Sequence, residues 1–408
     1  MTGSEVRMFT SSKRAILLMG ATLLGPAMPR AVVAQIQYSV TDIAPLNDLS
    51  DETPGAASVN NAGLVVGRAL LPNGPDRPFL WINGNIFDLG TFGGPNGGAR
   101  SINARGQIAG KADTAAGSEH AFLWNEGVLH DLGTLGGDNS EGNGNNARGW
   151  TVGFSATTIP DPTGTTGPYE SHAFLLTALG EPLQDLGTLG GPNSIAISIN
   201  DGGVIVGWSQ VDFNIGAFGI PDLHAAMWVN GVPKPLPGFG GSVTLALSVN
   251  NSGTAVGQSF LADDSTLYAV MWNNGELIPL GAVSDDIASG ANSINNRGDV
   301  VGFSITTSFA SRAFLRRNGV MTDLNTLIPA NDGWVLMSAE HINDEGQIVG
   351  YGFLNGDLHA FLLTPNSGGG RTGSSTTSPA TVQISNMMLR SLIWGKSGLL
   401  KRRPTWIR

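Results

Sequence analysis

The sequence predicts an all-β fold: a seven-bladed β-propeller closed by its own N-terminal strand. Three observations predict it. One unit recurs seven times in the same order and phase. Each unit reads as four short strands separated by turn signals, the content of a propeller blade. The last unit stops one strand short, and an unmatched strand precedes the first. A β-solenoid is the alternative, but it has no need for a spare strand at one end to match a missing one at the other.

The clearest copy runs from Ala99 to Gly133. Strand a is Ala99–Asn103, strand b Gln107–Ala112, strand c His120–Trp124 and strand d Val128–Leu132. The Asn that closes strand a recurs at Asn60, Asn103, Asn146, Asn200, Asn250, Asn295 and Asn343. Three residues on stands a Gly, Gly106 in this copy, and four further on a second Gly, here Gly110. Asn-x-x-Gly between two apolar runs predicts a hairpin. The Asn side chain bonds the turn backbone and the Gly takes a left-handed conformation. The second Gly, inside strand b, predicts a bulge or a close backbone approach. Strands b and c are nearly continuous apolar runs, which predicts burial on both faces.

The chain ends support closure. The last copy ends after strand c, at Leu363. The unmatched strand, Tyr38–Leu46, carries Thr41-Asp42-Ile43, which aligns with His130-Asp131-Leu132 of a strand d. It is therefore expected to complete the last blade, and closure removes exposed sheet edges.

Two motifs run through the copies. His-Ala-Phe stands at His120–Phe122, His172–Phe174 and His359–Phe361, and Asp-Leu-Gly-Thr-Leu-Gly-Gly at Asp131–Gly137 and Asp185–Gly191. With this pair the chain resembles the bacterial HAF repeat family of extracellular repeat proteins over roughly residues 38 to 365. Copies four and five depart from it, with His224-Ala225-Ala226-Met227 and Tyr268-Ala269-Val270. The resemblance implies export and brings no activity with it.

The segments flanking the repeats differ in composition. Residues 1–34 read as a signal peptide: Arg7, Lys13 and Arg14, then apolar Ala15–Met28, then Val32-Val33-Ala34 before Gln35. Residues 35–365 form the repeat body. Residues 366–380 are a Gly/Ser/Thr-rich linker. Residues 381–408 form a basic tail whose apolar part, Met387–Leu400, is too short to span a bilayer. The mature chain is expected to have no transmembrane span. The protein is expected to be exported, to the medium or the cell surface, with the periplasm as an alternative.

Composition narrows the chemistry. There is no cysteine, hence no disulfide, thiolate metal site or cysteine nucleophile. The body carries 11 Lys plus Arg against 31 Asp plus Glu, a net charge near −20. Such a surface repels phosphate backbones, so nucleic acid is not an expected partner. The Gly-Gly pairs lie between strands d and a, not between a strand and a helix, so no phosphate loop is read.

The recurring His residues invite a metal reading, but equivalent positions in neighbouring blades should lie more than ~10 Å apart, against metal bonds of about 2 Å. Structural hydrogen bonding is expected for them, and turn bracing for Asp88, Asp131, Asp185 and Asp323. Asp138-Asn139-Ser140-Glu141 is a weak calcium-loop candidate. No cofactor or metal is implied.

A site in a repeat protein should show as a break in the repeat. Strand a, flanking the channel, follows Ala-x-Ser-Ile-Asn. Its x position holds Ala57, Arg100, Asn143, Ile197, Leu247, Asn292 and Glu340, and His341 replaces the usual Ser. Arg100, Glu340 and His341 are the candidate binding residues. Alternation along a strand would put Glu340 and His341 on opposite faces. The longest b–c connections, Ala156–Ser171 and Gln210–Leu223, are the candidate recognition loops. The resulting expectation is a non-enzymatic exported module that binds an extracellular glycan, polymer or protein. The alternative is a hydrolase or lyase acting on a polysaccharide at the channel mouth.

Overall fold

A computed structural model describes residues 37–45, 55–70, 74–216, 219 and 221–366. The chain divides into Met1–Gln35 and Ile36–Arg408, and every described residue belongs to the second part. The expected signal peptide, nearly all of the linker, and the basic tail lie outside the described residues.

The fold is all-β. Among the described residues the elements are strands and one 3-10 turn, Leu324–Thr326. No helix among them is long and apolar enough to cross a membrane. The strands form small antiparallel sheets. In the second copy they are Gly93–Ile102, Ile108–Thr114, Glu119–Asn125 and Val128–Asp131, paired in sequence order. Five sheets have four strands. The two remaining groups of four are joined into one sheet by a parallel bridge, Leu223 to Val243.

The sheet nearest the C-terminus is completed from the other end of the chain. Tyr38–Pro45 pairs antiparallel with Asp357–Pro365, with Asp42 opposite Phe361. The same register puts Asp131 opposite Phe122 and Asp185 opposite Phe174, so the alignment of Asp42 with strand d holds. Tyr38 is fully buried. Burial pushes its phenol above the ordinary value, against the pull of the Arg317 guanidinium beside it.

Both repeated glycines have a geometric cause. Gly106 lies at φ 79°, and its counterparts in the other six copies also have positive φ. Gly110 faces the carbonyl of Gly98 so closely that an added Cβ would sit 2.2 Å from the oxygen. At the equivalent Gly207 the distance to the Ile195 oxygen would be 1.9 Å. The close approach accompanies a β-bulge in strand a of every copy. The residue stepped over is Ala57, Arg100, Asn143, Ile197, Leu247, Asn292 or Glu340.

The Asn that ends strand a does more than the turn chemistry requires. Asn103 Oδ1 accepts from Arg105 N and Gln107 N of its own turn, as expected. Its Nδ2 donates to the backbone carbonyl of Asn146 in the next copy. Asn146 donates to Asn200, Asn200 to Asn250, Asn250 to Asn295 and Asn295 to Asn343. Asn343 then donates to Asn60, and Asn60 to Asn103, which closes the cycle. All seven side chains are buried, so each bond forms where an unmade one would be costly.

Apolar clusters fill most seams between neighbouring copies. Val66, Leu80, Ile102 and Phe122 join the first two, and Ile43, Val59, Phe79 and Leu362 join the last to the first. The strands nearest the outside are the exposed ones: Asn85–Asp88 is exposed along its length.

Two loop expectations are corrected. The connections at Ala156–Ser171 and Gln210–Leu223 are strand over about half their length. Thr151–Pro160 pairs with Tyr169–Leu176, and Ile205–Ile215 with Pro221–Val229, so both are extended hairpins, the first with its tip at 161–168. Their β-branched and aromatic residues, such as Thr157, Ile159, Val211 and Phe213, favour a pleated surface. Phe218 lies outside the described residues.

Candidate functional site

The seven bulge residues line one cavity of about 230 Å³. A bulge sets two residues of one strand against one of its partner, so the usual alternation fails there. The residue after each bulge therefore lines the cavity too: Ser58, Ser101, Gly144, Ser198, Ser248, Ser293 and His341. This corrects the expectation that Glu340 and His341 face opposite ways. Arg100, Glu340 and His341 share the cavity.

The lining is uneven. One arc carries Ile197 and Leu247, with Ile195 and Phe154 beside them; the others carry Arg100, Glu141 and Asn143, and Asn292, Glu340 and His341. The charged groups are engaged with neighbours. Arg100 Nε bonds Glu141 Oε1 at 2.5 Å, and Lys111 Nζ lies 3.0 Å from Glu119 and 3.5 Å from Glu141. The Glu141 side chain is 3% exposed, so this pairing removes the cost of a lone buried charge. Glu340 accepts from Ser338 Oγ at 2.5 Å and from Asn292 Nδ2 at 3.2 Å. Behind them, burial drives the Tyr351 phenol well above its ordinary value, and the Glu340 charge adds to the rise.

His341 replaces a serine in more than sequence. In four other copies the Ser after the bulge accepts a backbone N–H from the next copy. Ser101 takes Asn145 N, Ser198 takes Val249 N, Ser248 takes Ile294 N and Ser293 takes Ile342 N, each at 3.3 Å. His341 Nδ1 takes Val59 N in the same way, at 3.4 Å. A neutral ring accepting there carries its proton on Nε2. The most visible break in the repeat thus preserves a bond between copies.

The His-Ala-Phe histidines are structural, as expected. His120 Nδ1 lies 2.9 Å from Asp131, His172 Nδ1 2.8 Å from Asp185, and His359 Nδ1 2.9 Å from Asp42. Each Asp belongs to strand d or to the N-terminal strand that replaces it. Asp131 and Asp185 also cap their turns through Gly133 N and Gly187 N. Burial opposes charge on His172, but Asp185 and Glu170 outweigh it and its pKa rises. Burial likewise works against the Asp185 carboxylate, and the bonds from His172 and Gly187 N overcome it and hold its pKa low.

The weak calcium candidate is occupied by structural bonds. Asn139 Oδ1 accepts Glu119 N, Ser140 Oγ accepts Ala121 N, and Glu141 pairs with Arg100. Among the described residues, no three His, Asp or Glu side chains gather as metal ligands.

Sequence reasoning missed Glu141 as a cavity residue. Its signal was present: two places before the bulge, the other copies have Gly55, Gly98, Ile195, Leu245, Gly290 and Ser338, none charged. Of the candidate recognition hairpins, Ile159, Phe213 and Ile215 are about half exposed.

No family model and no curated protein matches the chain. Solved structures with partial likeness include TolB from Acinetobacter baumannii, at 12% identity and TM-score 0.41, covering 74% of this chain and 64% of that one. A puromycin-hydrolysing peptidase from Mycobacterium tuberculosis gives 9% identity and TM-score 0.44, covering 76% and 49%. An acylaminoacyl peptidase from Pyrococcus horikoshii gives 13% and 0.46, covering 79% and 52%. The chain thus spans less than two thirds of each. At these scores the likeness transfers no activity.

Proposed function

We propose that this chain is an exported, non-enzymatic repeat protein of the HAF type, a seven-bladed β-propeller whose central cavity binds an extracellular glycan or other polymer. One observation carries the binding reading. The bulge position holds six residue types in seven copies, between an Ala or Gly just before it and the turn Asn three places on, and all seven bulge residues line one cavity.

Two features support the propeller. The seven-member Asn cycle returns to its first member. The N-terminal strand occupies the fourth place in the last sheet. Antiparallel pairing within each group of four strands disfavours a coil of stacked parallel strands. Export rests on the reading of residues 1–34 and on the repeat resemblance.

The charged cavity residues favour binding over catalysis. Arg100 is tied to Glu141, Glu340 to Ser338 and Asn292, and His341 accepts a backbone N–H. The enzyme reading keeps one supporting observation: Arg100, Glu340 and His341 line the same cavity, as a hydrolase or lyase would need.

The test is a glycan and cell-wall polymer array probed with the intact chain and with the Glu340→Ala/His341→Ala double variant. Binding by the intact chain that the variant loses, with no turnover, is the expected result. Binding that survives in the variant moves recognition to the hairpins around Ile159 and Phe213. Turnover of any bound polymer replaces the binding reading with the enzymatic one.

A further inference from the structure

We infer that the cavity takes a single uncharged polyhydroxyl ring, a neutral hexose either free or at the end of a glycan chain. The inference rests on the binding-module reading and narrows it from a polymer to one ring.

Size is the first argument. The cavity measures about 230 Å³. A dry cavity of about 150 Å³ is enough for a benzene ring, and drug-sized pockets start at about 300 Å³. A volume between these holds one ring with its substituents.

The second argument is which bonding capacity remains. Arg100, the cation of the lining, spends its charge on Glu141, and Glu340 accepts bonds from the neutral Ser338 and Asn292. An anionic ligand would shed its hydration and find its counter-charge already engaged, and any ion would have to desolvate to enter. The neutral groups have capacity left. Ser198, Ser248 and Ser293 each accept a backbone N–H through Oγ, and each hydroxyl still has a proton to donate. Asn143 spends its Nδ2 on the Ala196 carbonyl, and Asn292 spends its own on Ser338, Ala339 and Glu340. In both, the amide oxygen has no donor among the described residues. Three hydroxyl donors and two amide acceptors around one ring-sized space match hydroxyl groups, which both donate and accept.

The third argument is the apolar arc. Ile197 and Leu247 come from adjacent copies and lie on one side, with Phe154 and Ile195. A pyranose has a C–H face that needs such a wall and a hydroxyl rim that needs the polar arcs. A small acyclic polyol has the rim without the face.

The test is calorimetric titration of the full chain with glucose, galactose and mannose, then with glucuronic acid and glucosamine, and then with neutral oligosaccharides ending in those hexoses. At least one neutral hexose is expected to bind, with its charged relatives at least about tenfold weaker. Ala57→Phe, which fills the cavity and removes no hydrogen bond, should abolish binding while leaving the melting temperature in place. Ser248→Ala should weaken binding about fivefold, the effect of one net hydrogen bond, and reads the same site should Ala57→Phe not fold. A free hexose that binds as tightly as an oligosaccharide end identifies the free sugar as the source. An end that binds more tightly identifies the chain terminus. Hexose binding untouched by both variants, or tighter binding of glucuronic acid or glucosamine, overturns the inference. Polymers that bind while hexoses and chain ends do not overturn it too, and leave the module reading standing. An array and a titration that are both blank remove both.

Discussion

Two positions three residues apart on the same strand behave in opposite ways. At the turn, all seven copies have Asn. At the bulge, the copies have Ala, Arg, Asn, Ile, Leu, Asn and Glu. The turn Asn has two obligations. Its Oδ1 holds its own turn, which Asp could do as well, and its Nδ2 reaches the next copy, which Asp could not. The bulge residue lines a shared cavity and has no single bond to supply: Arg100, Asn143 and Asn292 bond the next copy through Glu141, the Ala196 carbonyl and the Ala339 carbonyl, whereas Ala57, Ile197 and Leu247 have no polar side-chain group to do so. Uniformity here marks one bond that every copy makes, and variation marks a position where the contact differs from copy to copy.

Breaking the backbone approach opposite the bulge should have the largest effect. Gly207→Ala would put a Cβ about 1.9 Å from the Ile195 oxygen, and should lower unfolding stability by about 3 kcal/mol in denaturant titration. Asn200→Asp separates the two duties of the turn residue. It keeps the cap on Val204 N and places a carboxylate against the Asn250 carbonyl, at an expected cost of about 2 kcal/mol. A cost no larger than a few tenths would mean that the bond between copies contributes nothing.

Further out, the His172–Asp185 pair should leave a smaller, pH-dependent signature. His172 has its pKa raised, so its contribution is complete below the ordinary His value and fades as pH rises past the folded one. Asp185 has its pKa lowered, so its contribution is complete above the ordinary Asp value and fades as pH falls through the folded one. The melting difference between the intact chain and His172→Gln should therefore peak between about pH 4 and about pH 6.5. A difference that stays flat from pH 3 to 8 would remove the pair from the account. The smallest effect belongs to the bulge itself: Ala57→Ser should change stability by no more than about 0.5 kcal/mol.

Most of the strand plan was legible because its signals are local. Asn103 and Gly106 mark a turn, Gly110 marks a close approach, and Asp42 aligns with Asp131 through nothing more than spacing. What stayed hidden depends on partners tens of residues away. The bond from Asn103 to Asn146 crosses 43 residues and has no local spacing rule. The exclusive use of Asn over Asp was its only trace. The glycine of strand b signalled a bulge or a close approach, but the bulge lies in strand a opposite it, where strict alternation is the default expectation. Arg100, Glu340 and His341 were found because each breaks the repeat. Reading His341 as a replacement for a serine acceptor required the neighbouring Val59 N–H to be in view. Glu141 was misassigned to a loop candidate because its partner, Arg100, comes from another copy.

The proposed fold requires the ring of copies to close through the N-terminal strand, since both the Asn cycle and the shared cavity depend on closure. The most direct test is thermal unfolding of the chain with residues 35–46 deleted, beside the intact chain. Deletion removes buried Tyr38, the Asp42–His359 bond and the fourth strand of the last sheet together. Loss of the cooperative transition is the predicted result. A deleted chain that melts at the temperature of the intact one would contradict closure.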